Sequence, residues 1–121
     1  MDRLLRLLFK VVRRRMRADE ELTVQAVAKE LRLTRQYVSG HFRLVTGRFL
    51  GQFLQEKRLA KAARLLKNGN MRVSQIARRC GFDSENYFRK VFRERFGLPP
   101  QQFRIVGQLR TMRRLDRGDR G

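Results

Sequence analysis

The chain has 121 residues, the size of one ordinary domain or of two small domains that share a connecting element. Thirty Lys and Arg against 11 Asp and Glu give a formal charge of +19, which favours a polyanionic partner, with nucleic acid first and an anionic membrane surface second. One Cys and one His exclude an internal disulfide and a structural zinc site, and no apolar run approaches the roughly 20 residues that span a bilayer. We therefore predict a cytoplasmic protein that holds no metal and no cofactor.

The N-terminal segment predicts an amphipathic helix over residues 3–17. Apolar residues recur between Leu4 and Val12 at the spacing of one helical face, and Asp2 can cap the first turn. The opposite face is basic and carries Arg3, Arg6, Lys10, Arg13 and Arg14. Such a helix could lie on a membrane surface, but its apolar stripe has a core to cover, which favours a first core helix whose basic face lies near DNA or solvent.

A pattern of short helix, tight turn and second helix then occurs twice, over residues 22–47 and 71–97. Val27 aligns with Ile76, and the glycines that end the two copies align when the second turn is allowed one extra residue. An internal repeat of this length is typical of duplicated helix-turn-helix units. Two DNA-reading units are therefore predicted within one small body.

In the first copy, Thr23 is expected to cap a helix that runs through Leu31, and Thr34 a helix that stops at Gly47. The inward face of the second of these helices is predicted to carry Val38, Phe42 and Val45.

The turn of the first copy has Arg32 where the second copy has Gly81. A left-handed backbone would cost Arg about 1 kcal/mol, whereas glycine adopts it freely. The two turns are therefore expected to differ in shape.

A long helical pattern from Phe49 to Lys67 connects the two copies. In the second copy, Asp83 or Ser84 is expected to cap the helix that stops at Gly97. The inward positions of this copy are predicted to be Ile76, Ala77, Cys80, Phe88, Val91, Phe92 and Phe96.

Pro99 and Pro100 suit the start of a final short helix, and the apolar pattern weakens from Ile105 onward. Together the elements predict an all-α fold of about seven helices, in which two helix-turn-helix subdomains are joined by a long central helix. The predicted boundaries are residues 1–48 for the N-terminal subdomain, 49–68 for the connecting helix, 69–106 for the C-terminal subdomain and 107–121 for a basic, frayed tail.

An α-helix fits the major groove of DNA, so its exposed face must carry amides, hydroxyls or guanidinium groups that match the base edges. The outward faces of the two second helices are predicted to carry Arg35, Gln36, Ser39, Arg43, Glu85, Asn86, Arg89, Lys90 and Arg93. Gln36 and Asn86 can pair with adenine, Glu85 can accept from cytosine, and the arginines can reach guanine or phosphate. Any one of these residues could simply be solvated, but two such faces in duplicate favour DNA binding.

The sequence contains no catalytic constellation, and we predict that the protein is not an enzyme. Cys80 follows an Ile-Ala pair on an apolar face, which favours burial over reactivity. His41 has no carboxylate or second His at a useful spacing along the chain, so neither metal binding nor acid–base catalysis is supported.

The segment from Ile76 to Arg104, IARRCGFDSENYFRKVFRERFGLPPQQFR, resembles the signature of the AraC/XylS family of bacterial transcription regulators. The resemblance covers roughly residues 4–104 and is greatest to the small stand-alone members of the family. It implies a seven-helix monomer whose two recognition helices enter successive major-groove segments, about 34 Å or one helical turn apart, on one face of a bent promoter duplex. It further implies recruitment of bacterial RNA polymerase, usually for activation, without a small-molecule effector.

Carried over by position, the base-reading sites of the family fall on Gln36, Ser39, Gly40, Glu85, Asn86, Tyr87 and Lys90. Gly40 stands where the stand-alone members have a long basic side chain, and Gln36 where they have an aromatic one. The base preferences of the first copy therefore cannot be transferred. Tyr87 matches the wider family, in which packing is an alternative to base reading.

The sequence also allows two other functions. The first is nonspecific coating of DNA driven by charge, and the second is peripheral membrane attachment through the N-terminal helix. The Met1 start and the full first helix favour an intact chain over a fragment of a longer, effector-responsive regulator.

Overall fold

The computed structural model describes residues 2–116, and this part of the chain forms seven α-helices and no strand, which confirms the predicted all-α class. The described chain divides after Arg58 into two compact units, here named unit 1 (up to Arg58) and unit 2 (from Leu59). Because the division lies within the fourth helix, each half of that helix belongs to a different unit. In chain order the helices are α1 (Arg3–Arg17), α2 (Val24–Glu30), α3 (Arg35–Thr46), α4 (Leu50–Lys67), α5 (Val73–Arg79), α6 (Glu85–Phe96) and α7 (Pro100–Asp116).

Three side chains cap the helices of unit 1, as the sequence predicts. The carboxylate of Asp2 and the hydroxyls of Thr23 and Thr34 each accept a hydrogen bond, at 3.1 Å, from a backbone N–H in the first turn of α1, α2 and α3 respectively. Each cap satisfies an N–H that has no partner within the helix, which contributes about 1 kcal/mol. At the other end of α3, Gly47 takes a left-handed conformation with φ of 76° and stops the helix.

The core of unit 1 forms where the apolar faces of α1, α2, α3 and the first half of α4 meet. α1 is therefore a core helix. None of the helices within residues 2–116 is long and apolar enough to cross a bilayer. The predicted inward position of Val45 is wrong: its side chain is 48% exposed, because the last turn of α3 extends beyond so small a core. The buried members of the core are Leu5, Leu8, Val12, Leu22, Val27, Ala28, Val38, Phe42, Leu50 and Leu54.

The turns of the two helix-turn-helix units have the same shape, contrary to the expectation from the sequence. Arg32 and Gly81 both take a left-handed backbone, with φ of 60° and 87°. In each turn, the N–H of this residue donates to the carbonyl three residues before it. The N–H of the next residue donates to the carbonyl five residues before that next residue, and all four distances are 2.9 to 3.0 Å. This pair of hydrogen bonds closes a Schellman-type helix end and outweighs the cost of about 1 kcal/mol that a left-handed Arg carries.

Unit 2 repeats the plan of unit 1. Of the two predicted caps for α6, the structure selects Ser84, whose hydroxyl accepts from the Tyr87 N–H at 3.1 Å, and Gly97 ends the helix with φ of 83°. The predicted burial of Cys80 is confirmed. The buried members of this core are Leu59, Ala62, Ala63, Leu66, Val73, Ile76, Ala77, Cys80, Phe82, Phe88, Val91 and Phe92.

Phe92 lies at the centre of an aromatic cluster in unit 2. The centroid of its ring is 4.6 Å from that of Phe96, 5.1 Å from that of Phe103 and 5.6 Å from that of Phe88. The rings are tilted or edge-on to one another, which are the arrangements that aromatic quadrupoles favour. The cluster holds α6 and the start of α7 together.

Arg104 ties α7 to the end of α4. Its side chain is buried, and Nε donates to the Leu66 carbonyl at 3.2 Å while Nη2 donates to the Met71 carbonyl. Leu66 lies in the last turn of α4, where carbonyls lack helical partners and carry the negative end of the helix dipole. The buried guanidinium therefore satisfies carbonyls that the fold would otherwise leave without donors.

The final helix is longer than the sequence predicts. The weak apolar pattern indicates a frayed tail over residues 107–121, whereas α7 continues without a break to Asp116, and residues 117–121 lie outside the described part of the chain. The pattern weakens because this stretch extends past the core of unit 2. Its residues from 108 to 115 are mostly Gln, Leu, Arg and Met, which are strong helix formers.

Candidate nucleic-acid interface

The second helix of each helix-turn-helix unit presents one face to the core and the opposite face to solvent. On α3, Arg35, Gln36, Gly40 and Arg43 are exposed and Ser39 is half-buried at the flank. A Cβ built at Gly40 would meet no atom within 4 Å, so the middle of this face is open. A face with an amide beside an open centre lets the helix backbone approach base edges closely.

Arg43 is held beside the C-terminal end of α3. Its guanidinium carbon lies 4.2 Å from the centre of the Phe49 ring, within cation–π range, and its Nη1 donates to the Gly47 carbonyl. That carbonyl lies at the negative end of the α3 dipole. The charge of Arg43 is therefore anchored at the end of the outer face.

On α6 the exposed face carries Asn86, Lys90 and Arg93. Glu85 and Arg89 lie half-buried at its flank and form an ion pair one turn apart, in which Nε and Nη2 of Arg89 donate to Oε2 of Glu85 at 3.0 and 2.6 Å. Glu85 also lies in the first turn of α6, where the helix dipole stabilises a negative charge. The predicted cytosine acceptor is thus oriented by its neighbour on the same helix.

The outer side of α3 also carries two exposed side chains, Leu44 and Tyr37. Neither is among the outward-facing residues that the sequence predicts for this helix. Leu44 is 82% exposed and stands one turn after Gly40, while Tyr37 is 57% exposed. The predicted outer face holds only polar groups and glycine, whereas an apolar side chain can also contact the methyl group of thymine. Helical spacing was the available signal, since Leu44 lies opposite Val38 and Phe42 on α3.

His41 has a carboxylate partner in the folded chain, although no carboxylate stands at a useful spacing from it along the sequence. Its Nε2 lies 2.8 Å from Oδ2 of Asp2, which is 39 residues earlier in the chain. The hydrogen bond from the Leu5 N–H, and after it the contact with His41, hold the pKa of the Asp2 carboxyl below its ordinary value. Within residues 2–116, no group of three or more His, Cys, Asp or Glu side chains is placed to hold a metal ion.

Residues 27–105 match the family model described as a helix-turn-helix domain, HTH_18. The chain is 27% identical over 104 residues to the multiple antibiotic resistance protein MarA of Salmonella typhimurium, which covers 84% of this chain and 82% of MarA. It is 35% identical over 102 residues to histidine kinase P4 of Formosa agariphila, covering 84% of this chain and 7% of the kinase. It is 29% identical over 86 residues to the transcriptional activator RhaR of Salmonella dublin, covering 71% of this chain and 30% of RhaR.

Among solved structures, the chain is similar to the DNA-binding domain of AdpA, a global transcriptional factor, in complex with a target DNA. The TM-score is 0.73 at 31% identity, and the match covers 85% of this chain and 94% of that one. The chain thus spans a DNA-binding domain and most of MarA, but less than a third of RhaR and a small part of the kinase.

The chain belongs to the AraC-type helix-turn-helix family of DNA-binding transcription regulators. The matched residues run from Val27 in α2 to Ile105 in α7. They therefore include both helix-turn-helix units and both of their outward faces.

Proposed function

We propose that this protein binds specific sequences in double-stranded promoter DNA and activates transcription by recruiting bacterial RNA polymerase. In this proposal α3 and α6 are recognition helices that enter two successive major-groove segments. The observation that carries the proposal is the duplicated helix-turn-helix with a matching amide on each outer face. One turn after the amide, α3 has the open position Gly40 and α6 has the basic residue Lys90. Membership of the AraC-type family and the likeness to a DNA-bound domain support it.

The two recognition helices have matched and unmatched positions. Gln36 and Asn86 each follow the capping residue by two positions, and their amides can pair with adenine. Lys90 stands one turn after Asn86, where α3 has Gly40, so α6 reaches guanine with a side chain and α3 approaches with its backbone. Arg43 is anchored at the end of α3, a position that suits a phosphate contact.

The remaining predicted contacts have supporting roles. Glu85 keeps its Oε1 for the amino group of cytosine while Oε2 accepts from Arg89. Arg35, Ser39 and Arg93 complete the set with contacts to phosphates, which fix the register of the protein on DNA.

Nonspecific coating of DNA is the alternative that the +19 charge favours, because charge alone binds any duplex. The neutral amides of Gln36 and Asn86 favour specific reading, since a coating surface needs only cations at these positions. Membrane attachment through α1 is disfavoured because Leu8 and Val12, at 1% and 2% exposure, would have to leave the core of unit 1.

We further propose that the protein acts as a monomer on the DNA of the bacterial cytoplasm and needs no small-molecule effector. Two recognition helices in one chain supply the paired contacts for which single-unit proteins must dimerise, which supports binding as a monomer.

Selection from randomised duplex DNA at about 0.15 M salt tests the proposed function, because nonspecific charge contacts weaken in that range. The expected result is one asymmetric motif with two informative blocks about one helical turn apart. If no motif is enriched, and if all duplexes lose binding together as salt rises, the protein coats DNA by charge and the proposal is wrong.

A further inference from the structure

The second half of α7 carries an apolar stripe, the α7 stripe, that the rest of the described chain leaves exposed. Its members are spaced for one side of a helix over about 15 Å. Apolar side chains gathered in this way are typical of an interaction surface, whereas single exposed ones are not. The α7 stripe consists of Ile105, Leu109, Met112 and Leu115, which are 49%, 54%, 64% and 70% exposed.

The internal repeat indicates what such a stripe contacts. When the alignment of the two glycines that end α3 and α6 is continued, Leu109 falls on Leu59 and Met112 falls on Ala62. Leu59 and Ala62, in α4, are 2% and 0% exposed because they lie in the core of unit 2 with residues of α5 and α6. The end of α7 therefore repeats a segment that helices cover elsewhere in the same chain.

Positive charge borders the α7 stripe. Arg113 lines the same shallow surface hollow as three members of the stripe, and Arg110 and Arg114 are exposed in the same turns of α7. The repeat position of Arg113 is Ala63, which is buried in unit 2. Three of the four stripe residues, Leu109, Met112 and Leu115, thus align with apolar residues of α4, while Ile105 aligns with Gln55. Because cations are added around these apolar positions, the partner must offer apolar side chains and negative charge together.

We propose that the α7 stripe docks an acidic, amphipathic helix of bacterial RNA polymerase, with apolar anchors spaced as on the stripe. This inference rests on the proposed function, which requires a contact with polymerase. A second copy of the chain fits poorly, because it would bring like charges together in a protein of formal charge +19. A membrane fits poorly because the stripe spans only about 15 Å of a helix whose start is fixed to unit 2 by Arg104.

The test is transcription in vitro from a promoter that carries the selected motif, with purified bacterial RNA polymerase holoenzyme. The stripe variant combines Leu109→Ser with Met112→Ser, and the matched control combines Gln101→Ser with Gln102→Ser, two exposed residues of the same helix. Both variants should keep the wild-type DNA affinity and melting temperature. The stripe variant should lose about tenfold in stimulated transcript, equivalent to about 1.4 kcal/mol of docking free energy, and the control should lose none.

Photo-crosslinking supplies a direct readout. Leu109→p-benzoylphenylalanine should crosslink to a polymerase subunit, and Gln101→p-benzoylphenylalanine should not. Addition of Arg113→Glu should weaken the crosslink, more at low salt than at high salt, because the partner is acidic.

The outcomes separate the inference from the proposed function. If the wild-type protein binds its motif but does not stimulate transcription, the proposed activation fails and the inference fails with it. If the wild-type protein and the stripe variant stimulate equally, the proposed function stands and the docking surface is wrong. Flotation with vesicles of anionic lipid, or a dimer in sedimentation, that the stripe variant abolishes would assign the stripe to lipid or to a second copy and overturn the inference.

Discussion

Asp2 joins the start of α1 to the recognition helix α3 through His41. One carboxylate oxygen of Asp2 accepts from the Leu5 N–H at 3.1 Å, and the other lies 2.8 Å from Nε2 of His41. The His41 ring is in turn stacked on Tyr37, with centroids 6.3 Å apart and planes at 7°. One side chain therefore caps the first helix and positions an aromatic pair on the helix that we propose reads DNA.

Asp2→Asn should lower the melting temperature at neutral pH, because Asn keeps the cap but loses the charge that faces His41. The folded-state pKa of Asp2 is depressed, so its contribution is present above the ordinary value of 3.8 and is lost as pH falls through the lower folded-state value. Melting curves of the two proteins should therefore differ at pH 7 and converge in acid. A difference that persists unchanged at low pH would mean that the charge of Asp2 does not stabilise the fold.

Asn86→Ala should weaken binding to selected sites by about 1 to 3 kcal/mol and leave binding to random DNA nearly unchanged, because the amide is proposed to read a base edge. Titrations of both DNAs at one salt concentration measure the two effects. Asn70→Ala, at an exposed residue outside α3 and α6, is the matched control and should change neither. An equal loss on every sequence would reassign Asn86 to the DNA backbone.

Gly40→Ala should raise the free energy of unfolding by roughly 0.5 to 1 kcal/mol, since Gly40 lies inside α3 with open space around it. The same change should reduce affinity for selected DNA, because the methyl group blocks the close approach of the helix backbone. Gly51→Ala in α4 is the matched control: it is also helical and open, so it should add stability without loss of DNA binding. Unchanged DNA affinity in the Gly40 variant would show that the middle of α3 stays away from the bases.

Phe92→Ala should lower the free energy of unfolding by about 3 to 5 kcal/mol, because it leaves a cavity at the centre of the aromatic cluster. Phe49→Ala removes a ring that is 56% exposed and should cost under about 1 kcal/mol. Urea denaturation of both variants gives the comparison. Equal losses would show that the cluster around Phe92 repacks without a cavity.

The sequence predicts the features that depend on local chemistry and helical spacing. Thr23 and Thr34 cap their helices because a hydroxyl at that position bonds to the nearby N–H whatever else surrounds it. The burial of Phe88 and Phe92 follows from their separation by one helical turn. The duplicated helix-turn-helix was visible for the same reason, since each copy carries its own caps and its own apolar spacing.

Two kinds of feature could not be predicted from the sequence: contacts between residues far apart in the chain, and conformations in which hydrogen bonds outweigh a residue's own backbone preference. Asp2 and His41 meet only after α1 and α3 have packed, so no spacing along the chain reveals the pair. The intrinsic backbone preference of Arg32 disfavours the left-handed conformation that it adopts. Two backbone hydrogen bonds at the helix end outweigh that preference. The stacking of Arg43 on Phe49 likewise depends on how the chain leaves Gly47.

The division of α4 between two cores has a consequence for how the protein is degraded. Leu54 belongs to the core of unit 1 and Leu59 to the core of unit 2, and the basic pair Lys57 and Arg58 lies between them. A protease that cuts after Arg58 would interrupt α4 at the boundary between the two units. Every buried member of one core precedes this cut and every buried member of the other follows it, so we expect limited proteolysis to give two fragments that each keep a complete core and persist until a second cut.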